Sequence, residues 1–151
     1  MPAGPSKNGK SHIDVDAEHK LICDFEATPA NVHGSQVFDK IIDPENANPQ
    51  VWADSAYRSE ATEAALSGAG YESHIGEKGQ SNQPLSDAQQ AANRRRSKVR
   101  ARVEHIFGFQ HNSLGGKLIR TIGQARAAVK IGCMNLAYNL MRYLQHFSRS
   151  P

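Results

Sequence analysis

The chain has 151 residues, 38% hydrophobic, 22% charged and 7% aromatic, with a formal net charge of +3. That length suits about one domain with a modest core, and no apolar run approaches the roughly 20 residues that span a bilayer. Two cysteines, Cys23 and Cys133, stand far apart in the sequence. They exclude a disulfide scaffold and fit reduced thiols in a cytoplasmic protein.

The small net charge conceals an asymmetry. Residues 1–75 carry 5 basic and 12 acidic side chains, whereas residues 76–151 carry 13 basic and 3 acidic. Such a division points to a polyanion docking on the second half, against the plainer reading of a solvated basic face.

In chain order, residues 1–10 are mostly Pro, Gly, Ser and Lys and read as a disordered lead-in; no apolar stretch follows their charges, as a secretory signal requires. Residues 11–148 read as one domain. Two short β-favouring runs, 12–16 and 21–27, surround a polar tetrapeptide and predict a β-hairpin that Thr28-Pro29 ends. Ser35 caps a predicted helix through Ile42, whose Val37, Phe38, Ile41 and Ile42 share one face. Asn46 to Pro49 reads as a loop, and Val51 to Tyr57 as a buried strand holding Trp52 in the core. Ser59 is the N-cap of a helix to about Ser67, ended by Gly68 and Gly70.

Tyr71 to Ile75 is the next predicted strand, and Gly76 to Pro84 a polar loop. A long helix runs from Ser86 to about Phe109, and Gly115-Gly116 separates it from a last helix at Thr121 to Phe147. Two apolar lines mark that last helix: Ile122, Ala125, Val129, Leu136 and Leu140, and Ala127, Ile131, Met134, Tyr138 and Met141. So wide an apolar surface predicts a helix covered by neighbours. The whole order predicts a mixed α/β fold with long C-terminal helices.

Three features carry chemistry. Asp54 lies near the end of a predicted strand, followed by small Ser55 and Ala56 and then Tyr57. A carboxylate at a strand's carboxyl end can hold a divalent cation, and an Asp there can equally begin a turn. Glu104, beside the apolar face of Val99, Val103, Ile106 and Phe107, is the only acid after Asp87. One turn after Arg100, it is either a ligand or a salt-bridge partner. Arg94, Arg95, Arg96, Lys98, Arg100 and Arg102 form a cationic cluster, in which Arg94, Lys98 and Arg102 follow a spacing of four. Such a row can neutralise successive phosphates, and without matching acids it repels itself unless an anion is bound. An unrelated basic RNA-binding protein would need exposed aromatics for stacking, and Phe107, Phe109, Tyr138, Tyr143 and Phe147 mostly fall at helix-core positions.

Four ordered blocks, TPANVHGSQVFD, VWADSAYRSEATEAAL, RRRSKVRARVEHIFG and LIRTIGQARAAVKIGCMNLAYNLMRY, resemble the C-terminal half of bacterial insertion-sequence transposases of the DDE class, family-five type. The resemblance covers roughly residues 7–147. It implies an RNase H-like core with three acidic residues, of which Asp54, in Asp54-Ser55-Ala56-Tyr57, is the second. Arg100 and Glu104 take the Arg and Glu places of the third block, Tyr-x2-Arg-x3-Glu-x6-Lys; Ser97 stands where that block has Tyr, and His111 where it has Lys.

The first acid of the resemblance lies on the first core strand, upstream of the segment matched by residues 12–27. That strand is flanked by the second and the fourth, so an N-terminally truncated core leaves two strand edges without a ladder partner. Asp14 and Asp16 alternate with Ile13 and Val15 and read as strand-surface aspartates rather than replacements. The resemblance further implies Mg²⁺, or Mn²⁺, held by Asp54 and Glu104 for phosphodiester hydrolysis and strand transfer on DNA. The implied partners are terminal-repeat and target DNA, an upstream-frame segment carrying the first acid, and a second copy in a homodimer. The implied location is the nucleoid, and a chain short of one carboxylate is expected to be a poor catalyst or a DNA-binding remnant.

Overall fold

The computed structural model describes residues 9–42, 48–79, 84–116, 119 and 121–148. They belong to two compact units: Met1–Val32 with Val103–Pro151, and His33–Arg102. The fold is mixed α/β with two small sheets.

In the first unit, strand β1 (Gly9–Val15) pairs antiparallel with β2 (Ile22–Pro29), as the hairpin pattern predicts, with a bulge between Asp14 and Val15. β1 begins inside the stretch expected as lead-in; the rest of that stretch lies outside the described residues. The turn is built by Asp16, whose carboxylate accepts the amides of Glu18 at 3.0 Å and His19 at 2.8 Å. Lys20 closes it in the left-handed region, at φ 61°. Across the strands, buried His12 bonds Thr28 at 3.0 Å.

Helix α4 (Gln124–Phe147) packs on this hairpin. Ile131, Met134 and Ala27 form the core, with Phe25, Leu114, Ile119 and Ala128 against it. Polar side chains fix the helix along the strand. Asn139 accepts the Ile22 amide at 2.9 Å and donates to the Ile22 carbonyl at 2.8 Å, taking the place of a neighbouring strand at that residue. Tyr138 donates to Lys20 O and Arg142 to His19 O, each at 3.0 Å. Gly132 permits the close approach, since a Cβ there would stand 3.0 Å from the Phe25 ring.

The expected covering of both apolar lines of α4 is corrected. One line, through Ala127, Ile131 and Met134, is buried, but Val129, Leu136 and Leu140 are 67%, 61% and 56% exposed. Ile122, Met141, Tyr143 and Leu144 are exposed too. Tyr143 is thus not a core aromatic, whereas Phe109 and Tyr138 meet edge to face at 5.8 Å.

In the second unit, the helix expected over residues 35–42 is broken into a 3-10 turn, Gly34–Gln36, and a short α1 (Phe38–Ile41). His33, not Ser35, caps the turn, and Val37 at φ −115° interrupts the helical run. Strand β3 (Gln50–Val51) lies parallel to β4 (Glu72–Ser73). Both are shorter than the patterns at 51–57 and 71–75 predict. Parallel bonding nonetheless extends beyond them, from Glu72 N to Pro49 O, His74 N to Val51 O and Gly76 N to Ala53 O.

Between these strands runs α2 (Glu60–Gly68), capped by Ser59 Oγ accepting the Thr62 amide at 3.0 Å, as its sequence indicates. Phe38, Leu66 and Ile75 form the core of this unit, with Val51, Ala53, Tyr57 and Tyr71 against it. Trp52 is a correction: it is only half-buried and stacks on His74 at 4.1 Å. Helix α3 (Asp87–Ser113) starts on a capping box in which Ser86 and Gln89 bond one another's amides. Its first sixteen residues belong to this unit and the rest to the first.

Candidate functional site

The chain leaves the β3 ladder after Ala53 at a turn that packs Tyr57 against the core. Asp54 caps a 3-10 turn, Ser55–Tyr57, by accepting the Ser55 amide at 2.6 Å. Tyr57 anchors that turn in the core, 5.9 Å from the Phe38 ring and against Gly34, where a Cβ would stand 3.0 Å from it. Burial raises the Tyr57 hydroxyl above its ordinary pKa, with the Asp54 charge acting in the same direction. Ser55 lies against the backbone of Gly76, a Cβ on which would come 3.5 Å from the Ser55 amide. The block therefore has a physical reason: a cap, a small residue against the Gly76 backbone, and an aromatic anchor. Asp54 begins a turn just beyond the carboxyl end of a strand.

The Asp54 carboxylate is half exposed, at 51%, and Arg100 donates to its Oδ1 at 3.2 Å. All these contacts fall on Oδ1; among the described residues, Oδ2 has no partner. An oriented, solvent-facing carboxylate with one oxygen open suits a hard cation.

One turn earlier on α3, Arg96 donates to Glu77 at 3.0 Å. Glu77, in the segment after β4, also accepts from Gln89 at 2.7 Å, while Asn93 bonds both its amide and its carbonyl. The bond from Arg96, chiefly, holds the Glu77 carboxyl below the usual range against the cost of desolvation, with Gln89 adding to it. Gln89, Asn93, Arg96 and Arg100 thus share one stripe of α3, directed at acids and backbone of its own unit. Sequence reasoning missed Glu77 and Asn93. Their signal was the spacing of four, three and four along that stripe, which pattern reading reserves for apolar residues.

The cationic cluster therefore divides by face. Arg96 and Arg100 are partly buried and paired, whereas Arg94, Arg95, Lys98 and Arg102 are exposed. Arg94, Lys98 and Arg102 run along the side of α3 opposite the paired stripe. Glu104 is exposed on the same helix and belongs to the first unit, while Asp54 belongs to the second. Asp16 has a structural place in the hairpin turn, and Asp14 accepts the Val15 amide at 2.9 Å. Among the described residues, no three His, Cys, Asp or Glu side chains stand together as a metal site.

The family model for the transposase DDE domain matches residues 5–140. The chain belongs to the transposase DDE domain family. No curated protein and no solved structure matches it. Membership makes the chain a transposase-type domain, with DNA as the implied partner and divalent metals as the family's usual requirement. No helix among the described residues of this transposase domain is long and apolar enough to cross a membrane.

Proposed function

We propose that this chain is part of an RNase H-like transposase core of the family-five type, acting on phosphodiesters at insertion-sequence ends. Asp54 and Glu104 are two of its metal-binding carboxylates. The observation that carries the reading is the Asp54–Arg100 ion pair, which joins the Asp-small-small-Tyr block to the Arg of the third block at 3.2 Å. The open Oδ2 of Asp54 supports a cation there, and Glu104 follows Arg100 by one helical turn. Bound Mg²⁺ or Mn²⁺ supplies activation of the attacking oxygen and stabilisation of the leaving one. Arg100 keeps Asp54 oriented, and the exposed row Arg94, Lys98 and Arg102, with Arg95, holds the DNA backbone.

This sequence assigns two carboxylates to the proposed site, Asp54 and Glu104. A second reading, a non-catalytic DNA-binding regulator of transposition, is favoured by the cationic row itself, which lies on a different face of α3 from the Asp54 contact.

Two measurements test the proposal. Mn²⁺ is expected to broaden NMR signals around Asp54, and Asp54→Asn to abolish the effect. Nicking of terminal-repeat DNA is expected to require Mg²⁺ or Mn²⁺ and to be lost in Asp54→Asn and in Glu104→Gln. Nicking that survives both substitutions rejects the ligand assignment. DNA binding without metal binding selects the regulator.

A further inference from the structure

The exposed side of α4 is patterned, and the pattern is independent of the transposase reading. Arg126, Val129, Cys133, Leu136, Leu140 and Tyr143 are all exposed. Their spacing is three, four, three, four, three, which is the a/d spacing of a two-stranded coiled coil. With Ile122, Met141 and Leu144 beside them, these residues present an apolar surface on the order of 800 Å², the area that one side of a standard protein interface covers and more than monomers usually leave open. We propose that this face pairs antiparallel with the same face of a second copy of the chain.

The matching of layers selects the direction. Between Gln124 and Phe147 the helix has no acid; Arg126 and Lys130 lie near its N-terminal end, and Arg142, held by the His19 carbonyl, and His146 lie near the other. A parallel pair would set Arg126 against Arg126. An antiparallel pair centred between residues 134 and 135 keeps the two Arg126 side chains apart. The layers then match in chemistry. Val129 meets the partner's Leu140, Cys133 meets the partner's Leu136, and Arg126 lies over the ring of the partner's Tyr143, a cation–π geometry. The a positions of one helix face the d positions of the other in every layer, so no large residue is left opposite its own copy.

The experiment uses the whole chain, with Cys23 and Cys133 replaced by Ser where cross-linking is read. Light scattering after gel filtration is expected to give twice the 16.5 kDa chain mass, and Leu136→Glu to return it to the single mass with unchanged circular dichroism. Val129→Glu, at a second exposed position, is expected to do the same. With a short bismaleimide, Val129→Cys/Leu140→Cys is expected to cross-link into dimers, whereas Val129→Cys alone is not. A wild-type chain that stays monomeric at high concentration means that the face belongs to another partner and overturns the proposal. A dimer that persists in both Glu variants overturns it too, and efficient linking by Val129→Cys alone overturns the antiparallel arrangement.

Discussion

Glu77 shows how much one side chain can organise without being catalytic. Its carboxylate takes Arg96 and Gln89 while Asn93 grips its backbone, so the segment after β4 is tied to α3 a single turn before the Asp54–Arg100 contact. Its lowered pKa fixes the sign of a test. The stabilisation is present above the unfolded Glu pKa and is lost as pH falls through the folded one. Urea denaturation of Glu77→Gln is therefore expected to show a deficit at neutral pH that shrinks in acid. His12 gives a second pH dependence. Burial, then the Lys10 charge, lowers its pKa, outweighing the pull of Glu26. The unfolded chain takes up the proton first, so His12 favours the native state above about pH 6.5 and ceases to do so below. His12→Gln is expected to flatten that limb of the stability profile, at a cost in neutral solution. Asp54 was legible because a block of four residue types surrounds it. Glu77 was not, because its importance lies in bonds between a loop and a distant stretch of helix, and a lone acid in a polar loop has no period.

At the level of elements, local chemistry decided where the pattern was strong. The Ser59 cap and the hairpin were readable from neighbours in the sequence alone. Ser59→Ala is expected to cost about 0.5–2 kcal/mol, read by thermal unfolding. Elements whose limits are set by distant packing were misjudged. β3 stops short because Tyr57 draws the chain into the core, and nothing in an apolar run announces that turn. The sequence predicts cover on two lines of α4, and one line packs. The difference is measurable: Ile131→Ala, at 1% exposure, is expected to cost about 2–5 kcal/mol, whereas Val129→Ala, at 67%, should stay within about 0.5 kcal/mol in the monomer. Chemical denaturation at low protein concentration separates the two.

For the whole molecule, the two charges of the chain have distinct destinations. Acids and cations of the second unit partly satisfy one another through Glu77–Arg96 and Asp54–Arg100, and the row Arg94, Lys98 and Arg102 of α3 is exposed. Duplex DNA binding is expected to weaken steeply with salt. Replacing Arg94, Lys98 and Arg102 by Gln should lower the slope of log affinity against log salt by up to about 2.7, at about 0.9 for each phosphate that is no longer neutralised. Fluorescence anisotropy across a salt series reads it directly. The family was legible in four ordered blocks. The division into two units was not, since one of its boundaries falls inside the continuous helix α3.

Gly132 has one more consequence. With the Phe25 ring where a methyl group would be, α4 has a single angular setting on the hairpin. Turning the helix by one residue would drive the side chain of Ile131 or Cys133 into that ring. The azimuth of everything on its far side is thus dictated from beneath, by one hydrogen atom in place of a carbon.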